Sequence, residues 1–283
     1  MSVLEMYVNY LSHSLVRNAI IVGVLIALCS SLLGTTIVLK RLSFIGDGLS
    51  HVAFGALAVA MCFSFTNNML IVLPVTILVA IILMGSNDKS KVKGDAAIAV
   101  LSVGALAVGY LVLNLFPGKN SGNVAGDVCS SLFGSTSILT LGGEDVWICI
   151  VLSLVVIMFF VVLYHRIFAV TFDENFAAAT GIKSKLYRYL LAIIIAVVIV
   201  LSMQLVGSLL ISALIVFPVL SAERIVRSFF SVVIASAIIG SLCAFTGIML
   251  SILWSTPIGA TVVCVNILVF ILCILLGKIF GRK

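Results

Sequence analysis

The sequence predicts an all-α polytopic membrane protein with about eight or nine transmembrane helices, some of them short or broken, and three observations carry that expectation. Hydrophobic residues make up 63% of the 283 positions and charged residues only 9%, where a soluble domain carries about 25% charged residues. Mean hydropathy is +1.37, and apolar runs of about 20 residues recur along the whole length, the length a helix needs to cross a roughly 30 Å hydrocarbon core. Basic residues also alternate between the connections in a way that only a threaded membrane chain explains. Membrane-barrel strands would give short alternating segments, and the sequence contains none.

The elements follow in order. Met1 to Asn18 is mixed in polarity and carries Glu5, His13 and Arg17, so no cleavable signal peptide is expected there. Spans are expected at Ala19–Leu39, Phe44–Phe65, Met69–Gly85, Ala97–Phe116, Val146–Leu163, Tyr189–Met203, Val206–Leu220, Phe229–Leu253 and Gly259–Gly277. With the N-terminus outside, the inner side collects 14 of the 16 Lys and Arg residues, leaving Arg17 and Lys119 outside. That split follows the positive-inside rule and puts the C-terminus in the cytoplasm.

One stretch strains the threading. Tyr189 to Ala222 is 34 residues, about 50 Å as one continuous helix. Both flanks are basic, so an even number of crossings is required. Two short or tilted spans broken near Val206-Gly207-Ser208 satisfy both conditions. Pro218 then falls inside the second piece, where it kinks the helix or lies in a half-helix. Interrupted spans of this kind often line transport paths, which makes Gly207 and Pro218 candidate path-lining or hinge residues.

Two connections stand out. The outer loop, residues 117–145, opens on the turn-rich Pro117-Gly-Lys-Asn-Ser-Gly-Asn and continues into the moderately apolar Val128–Leu141, expected to be re-entrant or surface-lying. Such a loop serves either as a landing site for an external partner or as a structural cap. The inner loop, residues 164–187, carries Asp173-Glu174 ahead of a short amphipathic helix expected over Asn175–Thr180, with Gly181 as its stop. It reads as a docking surface for another subunit or as a bare surface helix.

Chemistry concentrates in Asp47 and His51. They stand four apart in an apolar span, so they share one helix face one turn apart. Ionisable groups at membrane depth are costly and mark functional sites by default. A carboxylate and an imidazole at that spacing can hydrogen-bond to steady a helix pair, relay a proton, or ligate one divalent transition metal. From residues alone all three readings stand. The chain has no G-x-x-x-x-G-K-[ST] phosphate cradle, no H-E-x-x-H helix and no G-x-S-x-G elbow. A self-contained pump is therefore excluded. A proton-driven carrier, which usually needs several intramembrane ionisable groups, is disfavoured. The seven cysteines form no C-x-x-C pair and read as small buried hydrophobes. The net charge of +6 is a topology signal and implies no nucleic-acid partner.

Leu39-Lys-Arg-Leu-Ser-Phe-Ile-Gly-Asp-Gly-Leu-Ser-His-Val-Ala resembles the signature of the zinc/manganese/iron-type ABC permease family, a basic pair followed by Gly-Asp-x-Leu-(Ser/Ala)-His. Phe172-Asp-Glu-Asn-Phe-Ala-Ala-Ala-Thr-Gly-Ile is similar to that family's coupling-helix stretch. Val206-Gly-Ser-Leu-Leu-Ile-Ser-Ala-Leu-Ile-Val-Phe-Pro-Val-Leu-Ser-Ala is similar to its Gly-x-Leu-Leu-x-x-Ala-Leu-x-x-x-Pro run, and Trp254-Ser-Thr-Pro-Ile-Gly-Ala to its later turn. The likeness covers nearly the whole chain. Gly48, Val52, Val219, Leu220 and Ser221 depart from the family's usual residues without touching the Asp47/His51 pair.

The resemblance implies a single permease domain over residues 1–283 with a type II-like ABC importer fold, in a prokaryotic plasma (inner) membrane. It implies two copies of the chain, a cytoplasmic ABC ATPase dimer, an extracytoplasmic metal-binding protein, and import of zinc, manganese or ferrous iron. No permanently bound cofactor is expected, and the chain itself is a transport subunit rather than an enzyme. Asp47 and His51 become the metal ligands. Asp173, Glu174, Phe176, Ala177, Gly181 and Ile182 become the ATPase-coupling residues. Two ligands are too few for a stable four-coordinate site. A two-fold axis would bring a second pair to meet the first. The alternatives are an ion-gradient-driven secondary metal carrier, and an ABC permease for a metal chelate.

Overall fold

The computed structural model describes residues 12–63, 68–85, 94–116 and 141–279, and among these described residues the chain folds as ten helices. In chain order they are α1 (Ser14–Leu39), α2 (Ile45–Cys62), α3 (Met69–Gly85), α4 (Gly94–Leu115), α5 (Gly143–Phe172), α6 (Glu174–Ala179), α7 (Ser184–Val206), α8 (Ser208–Ile225), α9 (Phe229–Trp254) and α10 (Ile258–Ile279). Eight are long and apolar enough to cross a membrane, and α3 is a shorter apolar helix of 17 residues. The all-helical, multi-span expectation holds. Most of the outer loop, including the stretch 128–140 expected to be re-entrant, lies outside the described residues. At its described end, buried Leu141 accepts a hydrogen bond from the Asn18 side-chain amide at 3.2 Å.

Two expected boundaries move. α5 does not stop at Leu163 but runs 30 residues to Phe172, about 45 Å and well beyond a bilayer core. The region 164–187 is thus the end of α5, the one-and-a-half-turn α6 and the start of α7, with α6 shifted one residue from its expected bounds. The long stretch from Tyr189 does break at Gly207, whose φ of 92° and ψ of 154° fall in a region essentially reserved for glycine. Its first half, however, is no short span: α7 starts five residues earlier than expected, at Ser184, and is 23 residues long.

The core gathers around α1 and α8. α1 packs against α5, α8 and α9; α8 packs against α1, α2, α9 and α10. α2 lies against α3 and α4, and α3 against α7, so one contiguous core runs through Leu33, Ile45, Leu49, Ile98, Leu191, Ile195 and Ile211. α4, α5 and α10 are mostly exposed along their lengths. Val151, Leu154, Met158 and Val161 form an outward apolar stripe on α5, which suits hydrocarbon surroundings.

Pro218 lies within α8 and has no N–H to give the Leu214 carbonyl. The Ser31 hydroxyl of α1 supplies that missing donor at 3.4 Å. Gly240 of α9 leaves the room: a Cβ there would collide with the Ser31 hydroxyl and stand 3.3 Å from Pro218 Cγ. Three helices therefore share one polar repair in the interior.

Candidate metal site

The turn that delivers Asp47 is built by the end of α1. Leu42 N–H donates to the Ile37 carbonyl at 3.0 Å and Arg41 N–H to Val38 at 2.9 Å, the paired bonds of a Schellman stop. Arg41 takes the left-handed position at φ 59°, a place usually given to glycine. Leu42 and Ile37 close the motif by burying together. Ile45 N–H donates back to Leu42 at 2.9 Å and α2 begins at once.

Asp47 falls in the first turn of α2, where a carboxylate is favoured by the helix dipole. His51 follows one turn on, with its Nε2 3.5 Å from Asp47 Oδ1. The His51 side chain is 14% exposed and that of Asp47 40%. The two side chains thus share a partly accessible edge, while among the described residues His51 Nδ1 is buried without a hydrogen-bond partner. Ser50, between them, turns its hydroxyl to the Asp47 carbonyl at 2.8 Å and stays off that edge.

Depth follows from packing. A Cβ on Gly46 would stand 2.9 Å from Ile215 Cδ1 and 3.9 Å from Ser212 Cα. Those residues lie about 6 to 10 Å along α8 from its first residue, by the helical rise of about 1.5 Å per residue. The start of α2 is therefore level with the interior of α8 rather than with either of its ends. Among the described residues, no third His, Cys, Asp or Glu joins the pair. One chain offers an oxygen and a nitrogen ligand, an incomplete set for any divalent metal.

The six residues expected to couple to an ATPase divide into three groups. Asp173 caps α6, its carboxylate accepting from Phe176 N–H at 2.9 Å. Ala177 is fully buried with Val170 and Tyr187, and Ile182 packs on them. Gly181, at φ 86°, ends the helix in a second Schellman stop, Ile182 N–H reaching the Ala177 carbonyl at 3.0 Å and Gly181 N–H reaching Ala178 at 3.1 Å. These four residues hold α6 in place. Phe176 points away, 65% exposed, and is the one among them that offers an apolar knob to another molecule.

Glu174 does neither. Its carboxylate turns inward, 3.0 Å from Arg188 Nη1 of α7 and 3.9 Å from Lys40 Nζ at the end of α1. Arg188 is 4% exposed. Burial lowers the pKa of the Lys40 ammonium, with Glu174 opposing that effect and Arg188 adding to it. Sequence reasoning missed this arrangement, finding in Glu174 only a favourable acid at a helix start. Arg166 of α5 completes the fastening, bonding the Tyr187 hydroxyl with its guanidinium carbon 5.4 Å from that ring. Gly207 forms the α7–α8 elbow, its N–H bonded to the Met203 carbonyl at 3.0 Å, and Pro218 lies within α8.

Comparison with known proteins gives one consistent picture. The model of the ABC 3 transport family matches residues 12–277. A manganese transport system membrane protein of Listeria monocytogenes is 25% identical over 96% of both chains. A manganese import system permease protein of Streptococcus pneumoniae is 27% identical over 90% of this chain and 88% of its own. Among solved structures, PsaBC from Streptococcus pneumoniae in complex with Fab superposes with a TM-score of 0.82 over 95% of each chain at 23% identity. An inward-facing putative metal-chelate type ABC transporter gives 0.66 over 88% of this chain and 83% of its own at 17% identity.

Proposed function

From the premise that the chain belongs to the ABC 3 transport family, we propose that it is the membrane permease of an importer that carries a divalent transition metal into the cytoplasm, with manganese the first candidate. The observation that carries the reading is the Asp47–His51 pair, 3.5 Å apart within the bundle. Its donor set, one carboxylate and one imidazole, suits manganese, ferrous iron and zinc alike. The printed functions of the relatives, manganese transport and manganese import, favour manganese among them.

Two copies of the chain on a two-fold axis would double the set to two carboxylates and two imidazoles. With only two ligands per chain, each half holds the ion weakly, which a transport site requires if the ion is to leave. Asp47 supplies anionic oxygen and His51 neutral nitrogen. ATP hydrolysis is the task of a separate cytoplasmic ATPase dimer docked on α6 through Phe176, and an extracytoplasmic metal-binding protein delivers the ion. The basic end of the bundle, holding Lys40, Arg41, Lys183, Lys185, Arg224 and Arg227, is then cytoplasmic.

Purification of the tagged chain from its host in mild detergent tests the assembly. An ATPase bearing a G-x-x-x-x-G-K-[ST] loop should co-purify near one copy per permease. Recovery of the permease alone, under conditions that preserve other ABC complexes, would point to a secondary carrier.

A further inference from the structure

Three elements meet at one carboxylate. Glu174 Oε1 is 3.0 Å from Arg188 Nη1 and its Oε2 is 3.9 Å from Lys40 Nζ. The two cations are nearly buried, Lys40 at 12% and Arg188 at 5% side-chain exposure, whereas Glu174 keeps 30%. Two basic groups so close and so desolvated repel each other, and Glu174 is the acid that the structure places between them. A glutamate whose purpose was to greet another subunit would project outward, as Phe176 does. This one projects back into the bundle.

What lies beyond Lys40 gives the contact its meaning. Lys40 caps α1. The two hydrogen bonds of the stop, Leu42 to Ile37 and Arg41 to Val38, fix the turn that follows, and Ile45 N–H bonds to Leu42 within that turn. Asp47 is two residues further on. No flexible linker intervenes between the ammonium that Glu174 holds and the helix start that carries the metal pair. On the other side, α6 is itself fastened to α5 and α7 through Ala177, Val170, Tyr187 and Ile182. The chain of contacts from the exposed Phe176 to Asp47 is thus short and stiff, with Glu174 as an ionic joint within it.

We infer that Glu174 is a positioning residue for transport: it yokes α6 to the α1–α2 turn, so that movement of the docked ATPase is passed to Asp47 and His51. Resting on the proposed function, the inference adds the link by which nucleotide-driven movement reaches the ion. Neutralising Glu174 should leave docking to Phe176 in place and cut the link behind it. ATP hydrolysis should then continue while metal movement lapses. A merely structural glutamate would lower both together, through less folded protein, and leave their ratio alone.

The test is the number of manganese ions taken up per ATP hydrolysed by the intact permease–ATPase complex in proteoliposomes. Wild type, Glu174→Gln and the milder Lys40→Gln are compared. Glu174→Gln should keep the ATPase bound, hold hydrolysis within about twofold of wild type and lower ions per ATP at least fivefold. Lys40→Gln should lower the ratio in the same direction by less, and it carries the test if Glu174→Gln does not assemble. An unchanged ratio in whichever of the Glu174 and Lys40 variants assemble overturns the inference. A wild-type complex that takes up no divalent metal overturns the proposed function itself, a failure seen before any variant is measured.

Discussion

Ser31 shows how a membrane interior settles a local debt. With Pro218 in α8, the Leu214 carbonyl loses its helical donor in a place without water, and the Ser31 hydroxyl at 3.4 Å replaces it. Ser31→Ala should therefore lower stability by about 1–2 kcal/mol, because a buried acceptor is left unmade. Thermal unfolding in detergent would show this as a midpoint lowered by a few degrees, and an unchanged midpoint would mean that the carbonyl finds another donor. The Asp47–His51 pair belongs to the same scale with the opposite logic. Its edge is partly accessible while, among the described residues, His51 Nδ1 is buried without a partner. Metal-binding histidines are usually held by a hydrogen bond from the second ring nitrogen, and its absence among the described residues fits a proposed ligand that binds in passing rather than permanently.

Among the elements, the α7–α8 elbow is the most constrained. Gly207 at φ 92° and ψ 154° is in backbone territory where a Cβ clashes with its own chain. Gly207→Ala should cost about 1–3 kcal/mol, read as lower thermal stability and reduced yield of folded protein. A variant as stable as wild type would show that the elbow is not held there. This elbow was legible in the sequence because a 34-residue apolar run between basic flanks cannot cross once or pass uninterrupted. The end of α5 was not. His165 and Arg166 read as the close of a span, but no helix breaker stands before Asp173, and Arg166 is engaged by Tyr187 of a later helix. Asp47 and His51, the proposed ligand pair, stood out in the sequence by being ionisable in an apolar run. The inward turn of Glu174 stayed hidden, since its partners Lys40 and Arg188 come from distant positions that only the folded bundle unites.

Taken whole, the molecule is a bundle whose interior is built around α1 and α8, and whose outer helices α4, α5 and α10 present apolar surface. It belongs to a transport family, carries the Asp47–His51 pair within the bundle, and shows a short helix fastened at its basic end. In the proposed reading a single copy supplies two of the ion's ligands and its sequence has no G-x-x-x-x-G-K-[ST] cradle, so transport belongs to the assembly. Both Asp47→Ala and His51→Ala lie on an accessible edge and should assemble normally. Uptake of radiolabelled manganese by proteoliposomes containing the permease–ATPase complex measures the central claim most directly. The account predicts ATP-dependent uptake by the wild type and at least a tenfold loss in either variant with the ATPase still bound. Normal uptake by His51→Ala or Asp47→Ala would contradict it.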